Sequence, residues 1–195
     1  MSLKKLLSSE YILASKSPRR SDLLKQIGLK HKAVDSKSEE LEASKYNPIK
    51  LVRINALKKS RIVADNYKKE IIIAADTIVL IGSTILHKPA NLKEAKKYLK
   101  KLSGKKHTVY TGLNVSNTKN GKEEFAYEKT EVYFRKLNDE EINYYVNKFK
   151  PLDKAGAYGI QDGFGCLFID KIKGDHHNII GLPLVKLYTT IKKVI

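Results

Sequence analysis

"EIIIAADTIVLIGSTILHKP", Glu70–Pro89, carries the reading of the fold. Its first part is an apolar, β-branched run of strand length that ends at Asp76. The remainder, Thr77–Pro89, reads as a hairpin with its turn near Gly82–Ser83. Together they predict an α/β unit with a mixed sheet, because antiparallel hairpins argue against a simple doubly wound one.

The flanking segments alternate in the same way. Upstream, "YILAS" (Tyr11–Ser15) is a short strand and "HKAVDS" (His31–Ser36) a second one. Between them lies a helix in which Ser17 can cap, Pro18 suits the first position and Leu23, Leu24 and Ile27 repeat before Gly28 stops it. Asn47 and Pro48 open a long helix to about Tyr67. Downstream, Asn91 and Glu94 resemble a capping box for "LKEAKKYLKKL", closed by Gly104. Strands follow around Thr108–Asn117 and Phe125–Phe134, joined at Asn120–Gly121. A helix capped by Asn138 runs to Phe149, before Pro151. A glycine-rich loop, the strand "GCLFIDKI" and a final helix from about Leu184 complete the chain. With no internal repeat or linker, residues 1–195 read as a single domain.

Hydrophobic content of 42% and charged content of 30% describe a soluble globular protein. The longest apolar runs are too short to span a bilayer, and "MSLKKLLSSEYILAS" lacks an apolar core of signal-peptide length, so neither membrane insertion nor export is expected. Cys166 is the lone cysteine, which excludes an internal disulfide and favours a reducing cytoplasm. It lies in an apolar strand and reads as core. The net charge of +17 raises nucleic-acid binding, yet only five of the 38 basic residues are arginine, lysines are spread throughout and tryptophan is absent. A solvated lysine-rich surface that attracts small anions fits better.

Three polar clusters carry candidate chemistry. In "ASKSPRR" (Ala14–Arg20), two arginines stand at a helix N-terminus, where a cation is unfavourable by about 0.3–1 kcal/mol. Either they are solvated or an anion belongs there, a phosphate being the natural choice. In "AADT", Asp76 and Thr77 end the most apolar strand, and an acid there must cap a helix, pair with a lysine or hold a metal. Glu39–Glu40, in a polar loop, could add a carboxylate. In "PLDKAGAYGIQDGFG", Gly156, Gly159, Gly163 and Gly165 allow close backbone approach, but neither GxGxxG nor a P-loop is present. His176–His177 lack zinc-site spacing, and Tyr144–Tyr145 on an amphipathic helix read as packing.

Taken in order, "LASKSPRRSDLL", "AADTIV" with "HKP", and "PLDKAGAYGIQ" with "GLPL" resemble the three signatures of the Maf family of nucleoside triphosphate pyrophosphatases, from Tyr11 to Tyr188. The resemblance implies a two-lobed, inosine-triphosphatase-like mixed sheet flanked by helices, a nucleotide cleft between the lobes, a homodimer and a divalent metal, Mg²⁺ or Mn²⁺. It implies hydrolysis of a nucleoside triphosphate to the monophosphate and pyrophosphate, with dTTP and UTP as substrates. Specificity positions fall on Arg19, Thr77 and Gln161, and the catalytic acid on Asp76. The loop glutamate falls on Glu40, and phosphate-site lysines on Lys58 and Lys88. Asn55 and Lys59 stand where the family usually carries small residues, so Lys59 is the alternative to Lys58. Ser15 and Arg20 complete the substrate set, and Glu40 and Asp76 the metal set. Asp76 serves as base or as metal ligand. The competing expectation is a basic nucleic-acid-binding or cell-division regulatory protein without turnover.

Overall fold

The computed structural model describes residues 3–41 and 47–195. A short helix, α1 (Leu3–Ser8), precedes strand β1 (Tyr11–Leu13). Strand β1 pairs in parallel with β2 (His31–Ala33) and with β3 (Ile71–Ile81), Tyr11 facing His31 on one side and Ile71 on the other. The remaining strands are β4 (Thr84–Leu86), β5 (Lys106–Asn117), β6 (Glu123–Phe134) and β7 (Ile169–Lys173). Among the described residues the sheet has seven strands in the order β2-β1-β3-β5-β6-β7, with β4 on β3. Pairs β3–β4 and β6–β7 are antiparallel, so the sheet is mixed, as the hairpin reading requires.

Strand β3 corrects one boundary. It does not end at Asp76 but runs through it to Ile81, and Gly82, at φ +58°, makes the turn into β4. An acid tolerates the middle of a buried strand only with polar partners, and Asp76 has them.

The helices are α2 (Pro18–Gln26), α3 (Pro48–Ala64), α4 (Leu92–Leu102), α5 (Asp139–Phe149), α6 (His176–Ile180) and α7 (Leu184–Val194). Helix α2 ends as Gly28 predicts: at φ +73° it donates to the Lys25 carbonyl while Leu29 donates to that of Leu24, a Schellman closure. Its start differs, since the Ser17 hydroxyl makes no capping bond. The Ser15 hydroxyl instead accepts the Ser17 N–H, at 3.1 Å. Asn47 caps α3 by accepting from Ile49, and Asn138 with Glu141 forms a full capping box on α5; each such cap contributes about 1 kcal/mol. On α4, Asn91 caps Glu94 as expected, but the Glu94 carboxylate accepts from Ala90 rather than Asn91.

The described chain divides into two compact units. The first contains the described residues through Asp76, with Thr111–Glu128 and Gly181–Ile195. Its core includes Ile12, Ala14, Val63, Ile72 and Ala74. Gly112 of β5 is required there: a Cβ would stand 2.7 Å from the Val52 carbonyl oxygen of α3. The second unit contains Thr77–Tyr110 and Lys129–Ile180, around Val79, Leu99, Val109, Phe134, Tyr145, Tyr158 and Phe168. "GCLFIDKI" is a strand only from Ile169; Gly165–Phe168 coil into a 3₁₀ turn. Cys166 is therefore exposed and not core. Among the described residues, no helix is long and apolar enough to cross a membrane.

Candidate active site

Helix α3 presents Leu51, Val52, Asn55, Ala56, Lys59, Ser60 and Val63 on its buried face. Their spacing is that of one helical stripe, so two amide and ammonium side chains are carried into the interior by an otherwise apolar pattern. Lys59 is 8% exposed at its side chain, and its Nζ lies 2.7 Å from Asp76 Oδ1 and 2.7 Å from Glu40 Oε1. Asp76 Oδ2 accepts from Asn55 Nδ2 at 3.0 Å. Both oxygens of the buried acid are thus occupied. Of the three duties open to Asp76 in the sequence, this geometry has it paired with a lysine.

The N-terminus of α2 contributes Arg20. Its Nε donates to the Gly181 carbonyl at 2.8 Å and its NH1 to the Ser15 hydroxyl at 3.1 Å. Burial pulls the Arg20 pKa down, while the charges of Asp76 and Glu40 push it up and that of Arg19 lowers it. A guanidinium remains charged regardless. Its repulsion from the helix dipole is opposed by two carboxylates of the same unit, which the helix alone does not reveal.

The first unit therefore brings together Ser15, Arg20, Glu40, Lys59 and Asp76, with Arg19 within electrostatic reach. Lys58 points elsewhere: it is exposed and its Nζ donates to the Glu39 carbonyl at 3.1 Å. Sequence reasoning missed the part played by Asn55, and the signal was available. Asn55 and Lys59 fall on the apolar stripe of α3, whereas Lys58 does not.

Thr77, Lys88 and Gln161 belong to the second unit. Thr77, partly buried, is the residue of β3 after Asp76, and Lys88 is exposed beyond β4. Gln161 is exposed on a loop fastened from α5. There the Tyr145 hydroxyl donates to Asp162 Oδ2 at 2.7 Å and accepts the Gly159 N–H at 3.0 Å. Tyr145 is fully buried, as the packing reading requires, and its hydroxyl orders the glycine-rich loop as well, whereas Tyr144 beside it is exposed.

The donor set can be tested against a divalent cation. Two carboxylates already converge on one positive charge, and hard oxygen ligands suit Mg²⁺ or Mn²⁺. Among the described residues, no group of three or more His, Cys, Asp or Glu gathers. The convergence of Asp76 and Glu40 on one ammonium is what fits a cation held by one or two carboxylates with waters and ligand oxygens, the usual Mg²⁺ arrangement.

The profile of the Maf-like protein family matches residues 10–194. The chain belongs to that family. Among Maf-like relatives, a protein of Dictyoglomus thermophilum named dTTP/UTP pyrophosphatase is 43% identical over 189 residues, covering 96% of this chain and 97% of its own. One of Thermoanaerobacter sp. (strain X514) with the same name is 44% identical over 183 residues, covering 93% and 95%. Among solved structures, the Staphylococcus aureus Ham1 protein aligns with a TM-score of 0.45 at 14% identity, over 65% of this Maf-like chain and 72% of that one.

Proposed function

We propose that this protein hydrolyses nucleoside triphosphates, dTTP and UTP in particular, to the monophosphate and pyrophosphate. The observation that carries the reading is the Lys59 ammonium held between Asp76 and Glu40, with Arg20 fixed in the same unit by Ser15 and Gly181. The names of the relatives support the choice of substrate.

Attack of water on the α-phosphorus needs neutralised phosphate charge, a proton acceptor and fixed alignment. Arg19 and Arg20, at the positive end of α2, bind phosphate oxygens. Lys59 keeps the two carboxylates from repelling one another in the substrate-free protein and adds charge toward the triphosphate. Lys88 gives a further phosphate contact. Asp76 takes the proton of the attacking water. A Mg²⁺ or Mn²⁺ held by Asp76 and Glu40 would supply Lewis-acid polarisation of phosphoryl oxygens. The Gln161 amide, a donor and an acceptor, matches the carbonyl and ring N–H of uracil or thymine, with Thr77 supporting it.

The test is pyrophosphate release from dTTP, UTP, CTP and GTP with Mg²⁺ or Mn²⁺. Mispairing of the amide costs about 1–3 kcal/mol. The expected kcat/KM for dTTP and UTP therefore exceeds that for CTP by roughly ten- to hundredfold. Release from none of the four rejects the reading.

A further inference from the structure

We infer that Asn55 is a positioning residue that holds Glu40 and Asp76 in register for the reaction, an inference that rests on the proposed hydrolysis at these carboxylates. Asn55 is 3% exposed and spends its whole amide on two places. Its Oδ1 accepts the Leu41 N–H at 2.8 Å, and its Nδ2 donates to the Leu41 carbonyl at 3.2 Å. The second Nδ2 proton goes to Asp76 Oδ2 at 3.0 Å.

Leu41 is the residue after Glu40. A side-chain amide that bonds both the N–H and the C=O of one residue mimics a strand neighbour, and it fixes the backbone that carries Glu40. The third bond ties that backbone to the catalytic acid. One turn along α3, Lys59 contacts the same two acids through charge. The two residues divide the work. The Lys59 ammonium is free to answer a phosphate, because the neutral Asn55 holds Leu41 and Asp76 whatever the ammonium does. Buried polar partners that orient reacting carboxylates typically change activity by 10–100-fold when removed.

The experiment uses the full chain with Asn55→Ala and Asn55→Asp. Steady-state hydrolysis of dTTP is expected to show kcat lowered by roughly ten- to hundredfold with KM within about threefold. Asn55→Asp conserves volume but loses both donors and sets a charge against Asp76, so it falls at least as far as the alanine variant. Combined with Glu40→Gln, the losses are expected to overlap instead of adding. Hydrogen exchange at the Leu41 amide is expected to accelerate in Asn55→Ala, which removes its acceptor, while exchange in β3 does not. The proposal is overturned if a folded variant keeps kcat within about threefold of wild type, if the losses add with those of Glu40→Gln, or if Leu41 exchange is unchanged in Asn55→Ala. It is also overturned if both variants unfold at the assay temperature, which would make Asn55 a stability residue. Absence of turnover in the wild type would instead reject the hydrolysis reading, and Leu41 exchange would still decide the clamp.

Discussion

Asp76 is 4% exposed in the middle of an eleven-residue strand, where an unpaired ionised carboxylate would cost several kcal/mol. Lys59 and Asn55 remove most of that penalty. Asp76→Asn keeps the shape and lets Lys59 retain Glu40, so the fold is expected to survive while turnover is lost. Activity above about a tenth of wild type, equivalent to about 1.4 kcal/mol of barrier, would reject Asp76 as the proton acceptor. A second buried group makes a prediction about pH. His107 is 2% exposed, 2.8 Å from the Tyr158 hydroxyl, with ring edges of Phe134 and Tyr158 around it. Burial pushes its pKa down to about 3 from the usual 6.5. Between these values the unfolded chain binds a proton that the folded one refuses, so stability rises with pH across that window and is lost on acidification. This one group contributes a slope of up to about 1.4 kcal/mol per pH unit. His107→Phe should be less stable at neutral pH, because Tyr158 loses its partner at about 1–3 kcal/mol. It should nonetheless lose stability more gently from pH 6 to 4. Parallel urea-midpoint curves for the two proteins would show that His107 is not held neutral.

At the scale of the element, α3 is the strut of the site. Neighbouring lysines on it meet different surroundings, which separates their expected effects. Lys59→Ala strips the ammonium from a buried acid and is expected to destabilise by about 3–5 kcal/mol, besides lowering kcat/KM. Lys58→Ala removes an exposed bond to the Glu39 carbonyl and should change stability by less than about 1 kcal/mol. Denaturant midpoints and dTTP kinetics of the two variants check this. A larger activity loss at Lys58 than at Lys59 would move the phosphate-site role to Lys58.

For the whole molecule, the net charge of +17 sets the long-range field. A nucleoside triphosphate carries several negative charges, so encounter is assisted at low salt and screened as the Debye length falls from about 30 Å at 0.01 M to about 8 Å at 0.15 M. The expected result is a severalfold fall of kcat/KM for dTTP across that range, carried mainly by KM. A flat profile would show that the lysine-rich surface does nothing for capture.

Several features were legible in the chain because they depend on near neighbours. The caps at Asn47 and Asn138, the stop at Gly28, the turn at Gly82 and the apolar run of β3 are set by local hydrogen bonds and φ constraints. The Arg19–Arg20 pair at a helix N-terminus likewise pointed to a phosphate, and the Maf-like signatures around Asp76 and Gln161 to a nucleoside triphosphate. Other features depended on partners far along the sequence. Lys59 meets Asp76 at a separation of 17 residues and Glu40 at 19, and Asn55 meets Asp76 at 21. The apolar stripe of α3 already separates Lys59 from Lys58, but only packing brings Lys59 its two acids, and only their pairing lets β3 continue through Asp76. The same holds for Gly165–Phe168, apolar enough for a strand yet coiled into a turn that exposes Cys166. The sequence by itself determined most of the elements and the chemical types at the site. Only tertiary packing decided which charges are buried together, because burial, not proximity in the chain, makes an ion pair obligatory.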